Sequence, residues 1–136
     1  MIALDTNVLV RVLTQDDVAQ ANLAAQVMSS GDLFICKTVL LELEWVLRFA
    51  YRFDRSAIHS ALARLLGLPN LQVEDEIVVA DALRGYEAGM DFADALHLYS
   101  SERGALEFAT FDQMLAKKAG EASVGIRVRL LDERAR

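Results

Sequence analysis

Ile2-Ala3-Leu4-Asp5-Thr6-Asn7-Val8-Leu9-Val10-Arg11-Val12-Leu13 is the stretch that decides the fold. Its first three residues are apolar and read as a short buried strand that stops at Asp5. From Asn7 the period changes, and Val8, Leu9, Val12 and Leu13 fall on one side of a helix. The same switch recurs downstream. Asp16 or Asp17 caps a second helix that closes near Gly31, with Leu23 and Val27, and Ala24 and Met28, four apart on its inner face. Leu33-Phe34-Ile35-Cys36 is too short, and too β-branched or aromatic, to be a helix on its own. Thr38 then caps a helix over 38–52 that is apolar nearly all round, so it is expected to be buried or covered by a partner. Asp54 opens a helix through Leu66, closed by Gly67-Leu68-Pro69-Asn70. Leu71-Gln72-Val73-Glu74 reads as a strand, 75–88 as a helix ending at Gly89, and 91–102 as a helix capped by Asp91. A strand over 107–110, a short helix over 112–119 and a strand over 126–130 finish the chain. Strands separated by helices predict a parallel sheet covered on both faces. Ligands of such sheets bind outside the carboxyl ends of the strands. Asp5 and Asp112 each sit at or just past a strand end, so they can share that edge.

Composition narrows the function. The chain has 136 residues, 54% of them hydrophobic, and a mean hydropathy of +0.24. That is enough for one buried core, and a single domain over 1–136 is expected. One cysteine, Cys36, forms no internal disulfide and no cysteine metal cluster, which suits a reducing compartment. The apolar start lacks a basic segment and is interrupted by Asp5, unlike a signal peptide. No stretch approaches the ~18 uncharged apolar residues of a membrane span. A cytoplasmic protein without a membrane partner is expected. The net charge of −6 argues against a protein that coats nucleic acid by neutralising phosphates. It leaves a nucleic-acid hydrolase open, because such an enzyme can keep acids in one pocket and bases on its rim. Arg127, Arg129, Arg134 and Arg136 make the tail a candidate electrostatic arm.

Four acids stand out. Asp5 and Asp112 each precede a helix and can serve as N-caps. Asp94 follows Asp91 at capping-box spacing. Glu42 lies in the most apolar helix with Thr38, Val39, Trp45 and Val46 as its helical neighbours, none cationic. Glu44, by contrast, has Arg48 four residues on and reads as an ordinary surface pair. A buried carboxylate without a partner costs several kcal/mol or becomes neutral, so Glu42 is expected to need a donor, a cation or a metal from elsewhere. Several carboxylates gathered at one sheet edge repel each other, and a divalent cation removes that penalty. All-oxygen donors without paired histidines select Mg²⁺ or Mn²⁺.

Leu4-Asp5-Thr6-Asn7, Leu41-Glu42-Leu43-Glu44-Trp45-Val46-Leu47, Asp91-Phe92-Ala93-Asp94-Ala95-Leu96-His97 and Phe108-Ala109-Thr110-Phe111-Asp112 occur in this order. Together they resemble the PIN-domain family, and within it the VapC-type ribonuclease toxins of toxin–antitoxin pairs. The resemblance implies a three-layer α/β/α sandwich with a five-stranded parallel sheet. It implies Mg²⁺-dependent cleavage of single-stranded RNA by a metal-activated water, leaving a 3′-hydroxyl and a 5′-phosphate. It places the acidic pocket on Asp5, Glu42, Asp94 and Asp112, and polar supporting positions on Thr6, Asn7 and Thr110. Asp5 and Asp94 are the first choice as direct ligands. Glu42 ligates or orients the attacking water, and Asp112 completes the shell or holds a second ion. One metal or two is left open. The implied partners are a small antitoxin, a second copy in a homodimer, and DNA only indirectly through the antitoxin.

Arg11, Arg48, Arg52, Arg55 and Lys117 are candidate phosphate contacts, although isolated surface charges usually report little. Trp45 is assigned to the core or to a partner-facing surface rather than to base stacking, and the scattered tyrosines form no platform. His59 and His97 are too far apart in sequence for a histidine-driven ribonuclease, and Asp81 pairs with Arg84. The competing readings are an RNA-processing PIN nuclease or a non-cutting PIN module that binds metal or RNA. Two other acid-bearing α/β classes fit less well. A receiver domain wants paired acids where Leu4-Asp5-Thr6 offers one, and a haloacid-dehalogenase-type phosphatase wants an aspartate where Asn7 stands.

Overall fold

Asp5 stands at the turn from strand to helix, its carboxylate accepting the Thr6 N–H, and Asp17, Asp54, Asp91 and Asp112 also cap helices, each accepting the N–H three residues on. The computed structural model describes residues 1–122 and 124–133. In chain order the elements are β1 (Ile2–Ala3), α1 (Thr6–Thr14), α2 (Val18–Met28), β2 (Leu33–Ile35), α3 (Lys37–Phe49), α4 (Arg55–Leu66), β3 (Leu71–Val73), α5 (Glu76–Glu87), α6 (Phe92–Ser101), β4 (Glu107–Thr110), α7 (Gln113–Glu121) and β5 (Arg127–Leu130). Arg134 and Arg136 of the expected tail arm lie outside the described residues, whereas Arg127 and Arg129 are exposed positions of β5.

All strand pairings are parallel, as the alternation of strands and helices requires. The single five-stranded sheet is corrected, however: hydrogen bonding gives a three-stranded sheet in the order β1-β2-β3 and a two-stranded sheet of β4 and β5. β1 is only two residues long and pairs Ile2 with Leu33 and Ala3 with Phe34, while β2 pairs Leu33 to Ile35 with Leu71 to Val73. β4 and β5 pair over four residues, from Glu107 with Arg127 to Thr110 with Leu130. The chain divides into two compact units, residues 1–76 and 77–136.

In the first unit α1 packs on α2 and α3, and α4 packs on α3 and β3. Leu9, Leu33, Ile35, Leu43, Leu47 and Ile58 are completely buried. Asn70 ties the start of β3 to the end of α2, donating to the carbonyls of Met28 at 3.0 Å and Gly31 at 2.8 Å. Tyr51 donates to Asp16 at 2.7 Å, and Arg11 reaches the same carboxylate at 2.8 Å. The Tyr51 hydrogen bond, ahead of the Arg11 charge, holds Asp16 below the usual carboxylate range.

The second unit buries Val79, Ala82, Tyr86, Phe92, Ala95 and Leu98. Tyr86 and Phe92 meet edge to face with centroids 5.5 Å apart. Gly85 lets α5 approach α6: a Cβ there would stand 3.3 Å from Tyr99. Gly89, at φ +109, closes α5 in a conformation other residues rarely adopt.

Three local expectations are corrected. α3 starts two residues early, with Cys36 rather than Thr38 at the N-cap and no side-chain cap bond. α1 buries Leu9 and Val10, with Val8, Val12 and Leu13 only half-buried. In α2 only Ala24 is buried, and Leu23 is 62% exposed. The most informative departure is in α3. Its buried stripe is Leu40, Leu43, Glu44 and Leu47, the i, i+3, i+4, i+7 pattern of one helix face. Glu44, expected at the surface, lies on that stripe at 1% exposure. Arg48 neutralises it, with Nε 3.0 Å from Oε2 and Nη2 donating to Oε1 at 3.2 Å. Glu42, two residues away and therefore about 200° around the helix, is exposed together with Trp45 and Phe49, so the expected burial of Glu42 does not occur.

This orientation of α3 is testable by equilibrium denaturation. Leu43→Ala should cost about 2–5 kcal/mol, because it opens a cavity at a fully buried site. Trp45→Ala should cost less than about 1 kcal/mol. Equal losses would contradict the assigned faces.

Candidate functional site

The four acids divide between the units. Asp5 and Glu42 belong to the first and Asp94 and Asp112 to the second.

Asp5 follows β1 in extended conformation, and its Oδ1 accepts the Thr6 N–H at 2.8 Å. It is a helix cap, as its position implies, but a carboxylate has two oxygens and capping uses one. Among the described residues Oδ2 has no hydrogen bond. Beside it, the Thr6 hydroxyl is buried, the residue being 5% exposed, and has no hydrogen-bond partner. A buried polar atom left unsatisfied costs about 1–3 kcal/mol, so a polar group brought to this position would gain by pairing with the hydroxyl. Glu42, in the second turn of α3, is exposed and makes no hydrogen bond or ion pair among the described residues. Asn7 is exposed and lines a groove of about 260 Å³ between α1 and α2 with Val8, Arg11, Leu23 and Val27.

In the second unit Asp112 repeats the arrangement of Asp5. It follows β4, its Oδ1 accepts the Leu115 N–H at 3.0 Å, and its own N–H donates to the Thr110 hydroxyl at 3.0 Å. Thr110 thus fixes the backbone of Asp112 rather than its carboxylate. Asp94 sits in the first turn of α6, and its N–H donates to Asp91 Oδ2 at 3.1 Å. Its own carboxyl is half-buried and held above the usual carboxylate range, first by burial, then by the charges of Asp91 and Asp112, against a smaller opposing effect of His97. Sequence reasoning treated Asp91 as a cap alone. It is also a third negative charge on Asp94, and the three-residue spacing of the pair was the available signal.

Two of the five basic candidates have their partners within the fold laid out by hydrogen bonds and ion pairs. Arg11 is held by Asp16, Gln20 and Tyr51, and Arg48 by Glu44. Arg52, Arg55 and Lys117 are exposed. Asp81 pairs with Arg84 as expected. Among the described residues no three His, Cys, Asp or Glu side chains stand close enough to form a metal cluster. The acids nonetheless fit a hard cation: their donors are all oxygen, Asp5 and Asp112 each keep one oxygen clear of the cap bond, and the Thr6 hydroxyl is unpaired.

The raised pKa of Asp94 predicts a pH-dependent stability effect. The native state holds this proton more tightly than the unfolded chain does. Ionisation of Asp94 therefore costs stability, and the cost appears as pH rises through the normal carboxylate range and above it. Asp94→Asn should equal or exceed the wild type in thermal midpoint at neutral pH, with the difference fading in acid. A lower midpoint for the variant at neutral pH and an equal one in acid would reverse the sign and refute the assignment.

Neither a curated protein nor a solved structure matches the chain. One family model does, described as the PIN domain, over residues 2–121, a span that includes all four acids. PIN domains are generally nucleases and typically use divalent metal ions. The chain belongs to the PIN domain family.

Proposed function

We propose that residues 1–136 act as one domain, a metal-dependent endoribonuclease that cleaves single-stranded RNA and serves as the VapC-type toxin of a toxin–antitoxin pair in the cytoplasm. The observation that carries this reading is the family match over residues 2–121, which takes in the four acidic motifs in order. Asp5, Glu42, Asp94 and Asp112 would hold Mg²⁺, or Mn²⁺ in its place. When bound, such an ion supplies an activated water and neutralises charge on the scissile phosphate.

The chain's own residues do the positioning. The cap bonds of Asp5 and Asp112 fix both carboxylates to helix starts and leave one oxygen of each for a ligand. Thr110 holds the Asp112 backbone, and Thr6 offers an unpaired buried hydroxyl beside Asp5. Asn7 opens onto the α1/α2 groove. That groove, with Leu23 62% and Val18 73% exposed on α2, supports an antitoxin that docks an amphipathic helix. A homodimer completes the reading.

The test is cleavage of defined single-stranded RNAs by the purified chain, with end sequencing. Wild type should cut with Mg²⁺ and stop in EDTA. Asp5→Asn and Asp94→Asn should each lose more than about a hundredfold in rate, beyond the effect of removing a group that merely orients a ligand. Millimolar Mg²⁺ or Mn²⁺ should raise the thermal midpoint of the wild type, because a ligand that binds only the native state stabilises it. Variants that cut as fast as wild type, or cleavage indifferent to EDTA, would overturn the assignment.

A further inference from the structure

The outer face of α3 carries side chains that the fold does not use. Glu42, Trp45 and Phe49 stand at i, i+3 and i+7, and both aromatic residues are 56% exposed. Their ring centroids are 5.3 Å apart at 50°. The Arg48 guanidinium carbon lies 4.6 Å from the Phe49 centroid. Glu44 grips that guanidinium at 3.0 Å, so its plane is fixed rather than free to follow solvent. Trp45, Phe49 and Arg48 thus form one preorganised π-surface, starting a single helical turn from Glu42. Past it Arg52 is exposed, in a left-handed conformation at φ +57, and the exposed Asp54 and Arg55 open α4. Four of the ten aromatic residues of the chain, Trp45, Phe49, Tyr51 and Phe53, fall in this segment, where Arg48, Arg52 and Arg55 balance Glu42, Glu44 and Asp54.

We propose that this face is the platform on which bases of the single-stranded RNA substrate stack, with Trp45 as the leading stacking residue and Arg52 meeting a phosphate. The inference rests on the nuclease reading and extends it to substrate binding. Exposed aromatic rings alternating with arginines are what sequence-tolerant single-strand binding uses, since every base has a π-face. The two half-exposed rings offer on the order of 200–300 Å², the scale of stacked bases, whereas one side of a stable protein interface takes roughly 800 Å². The exposed Arg52 guanidinium, three residues past Phe49, offers a cation to a phosphate.

Trp45 is the only tryptophan of the chain, so it reports on itself. The full chain is titrated in EDTA with a mixed-sequence single-stranded RNA oligonucleotide while tryptophan emission is followed. Saturable quenching is expected. Trp45→Leu, which keeps the apolar bulk and loses the π-face, should weaken binding by about tenfold, and Trp45→Phe should recover most of it. With Mg²⁺, Trp45→Leu should raise KM and leave kcat near wild type. Emission unmoved by RNA that a gel shift shows to be bound, or a KM for Trp45→Leu equal to wild type, overturns the platform and leaves the nuclease reading standing. Emission that responds to protein concentration instead of RNA, with a doubled sedimenting mass, assigns the face to a second copy and also overturns it. The absence of both binding and cleavage in the presence of Mg²⁺ or Mn²⁺ defeats the nuclease reading itself.

Discussion

A carboxylate keeps its charge cheaply only where water or a cation answers it, and the candidate site depends on that constraint. Asp94 is withdrawn from water at the start of α6 and faces Asp91 and Asp112. Burial, then the charges of Asp91 and Asp112, make the Asp94 carboxyl harder to ionise than a solvated one. The same economy governs Asp5 and Asp112. Each spends one oxygen on a helix N–H, which locks its rotamer, and keeps the other available. Capping and ligation are therefore compatible roles of one side chain, and the cap supplies the rigidity that a metal ligand requires.

α3 carries two distinct faces, one buried and one exposed. Its buried stripe includes a carboxylate, Glu44, neutralised by Arg48 within the same helix. Its opposite face bears Glu42 and the Trp45–Phe49 pair. The two glutamates differ in role because two residues of helix carry them to opposite sides. Arg48 belongs to both faces, bonded to Glu44 on one side and laid over Phe49 on the other.

Much of this was legible in the sequence. The caps Asp54, Asp91 and Asp112, and the extents of α4 and β4, are local matters of one turn or a few alternating residues, and they appear where the pattern put them. The Asp81–Arg84 pair is likewise local. What failed was tertiary. Hydrophobic character nearly all around α3 hid which face was inside, so Glu42 was expected to be buried and Glu44 exposed, the reverse of the structure. Strand count was correct, yet the grouping of strands into sheets depends on pairing partners that no local pattern encodes. The unpaired Thr6 hydroxyl and the pressure of Asp91 on Asp94 are likewise products of packing.

The claim on which the account turns is that these acids exist to hold a hard dication. Electron paramagnetic resonance of Mn²⁺ titrated into the full chain tests it most directly, since protein-bound Mn²⁺ loses the sharp six-line signal of the free aqueous ion. The account predicts loss of that signal with wild type and its return in Asp94→Asn or on addition of excess Mg²⁺. A Mn²⁺ spectrum unchanged by the wild-type chain would contradict it.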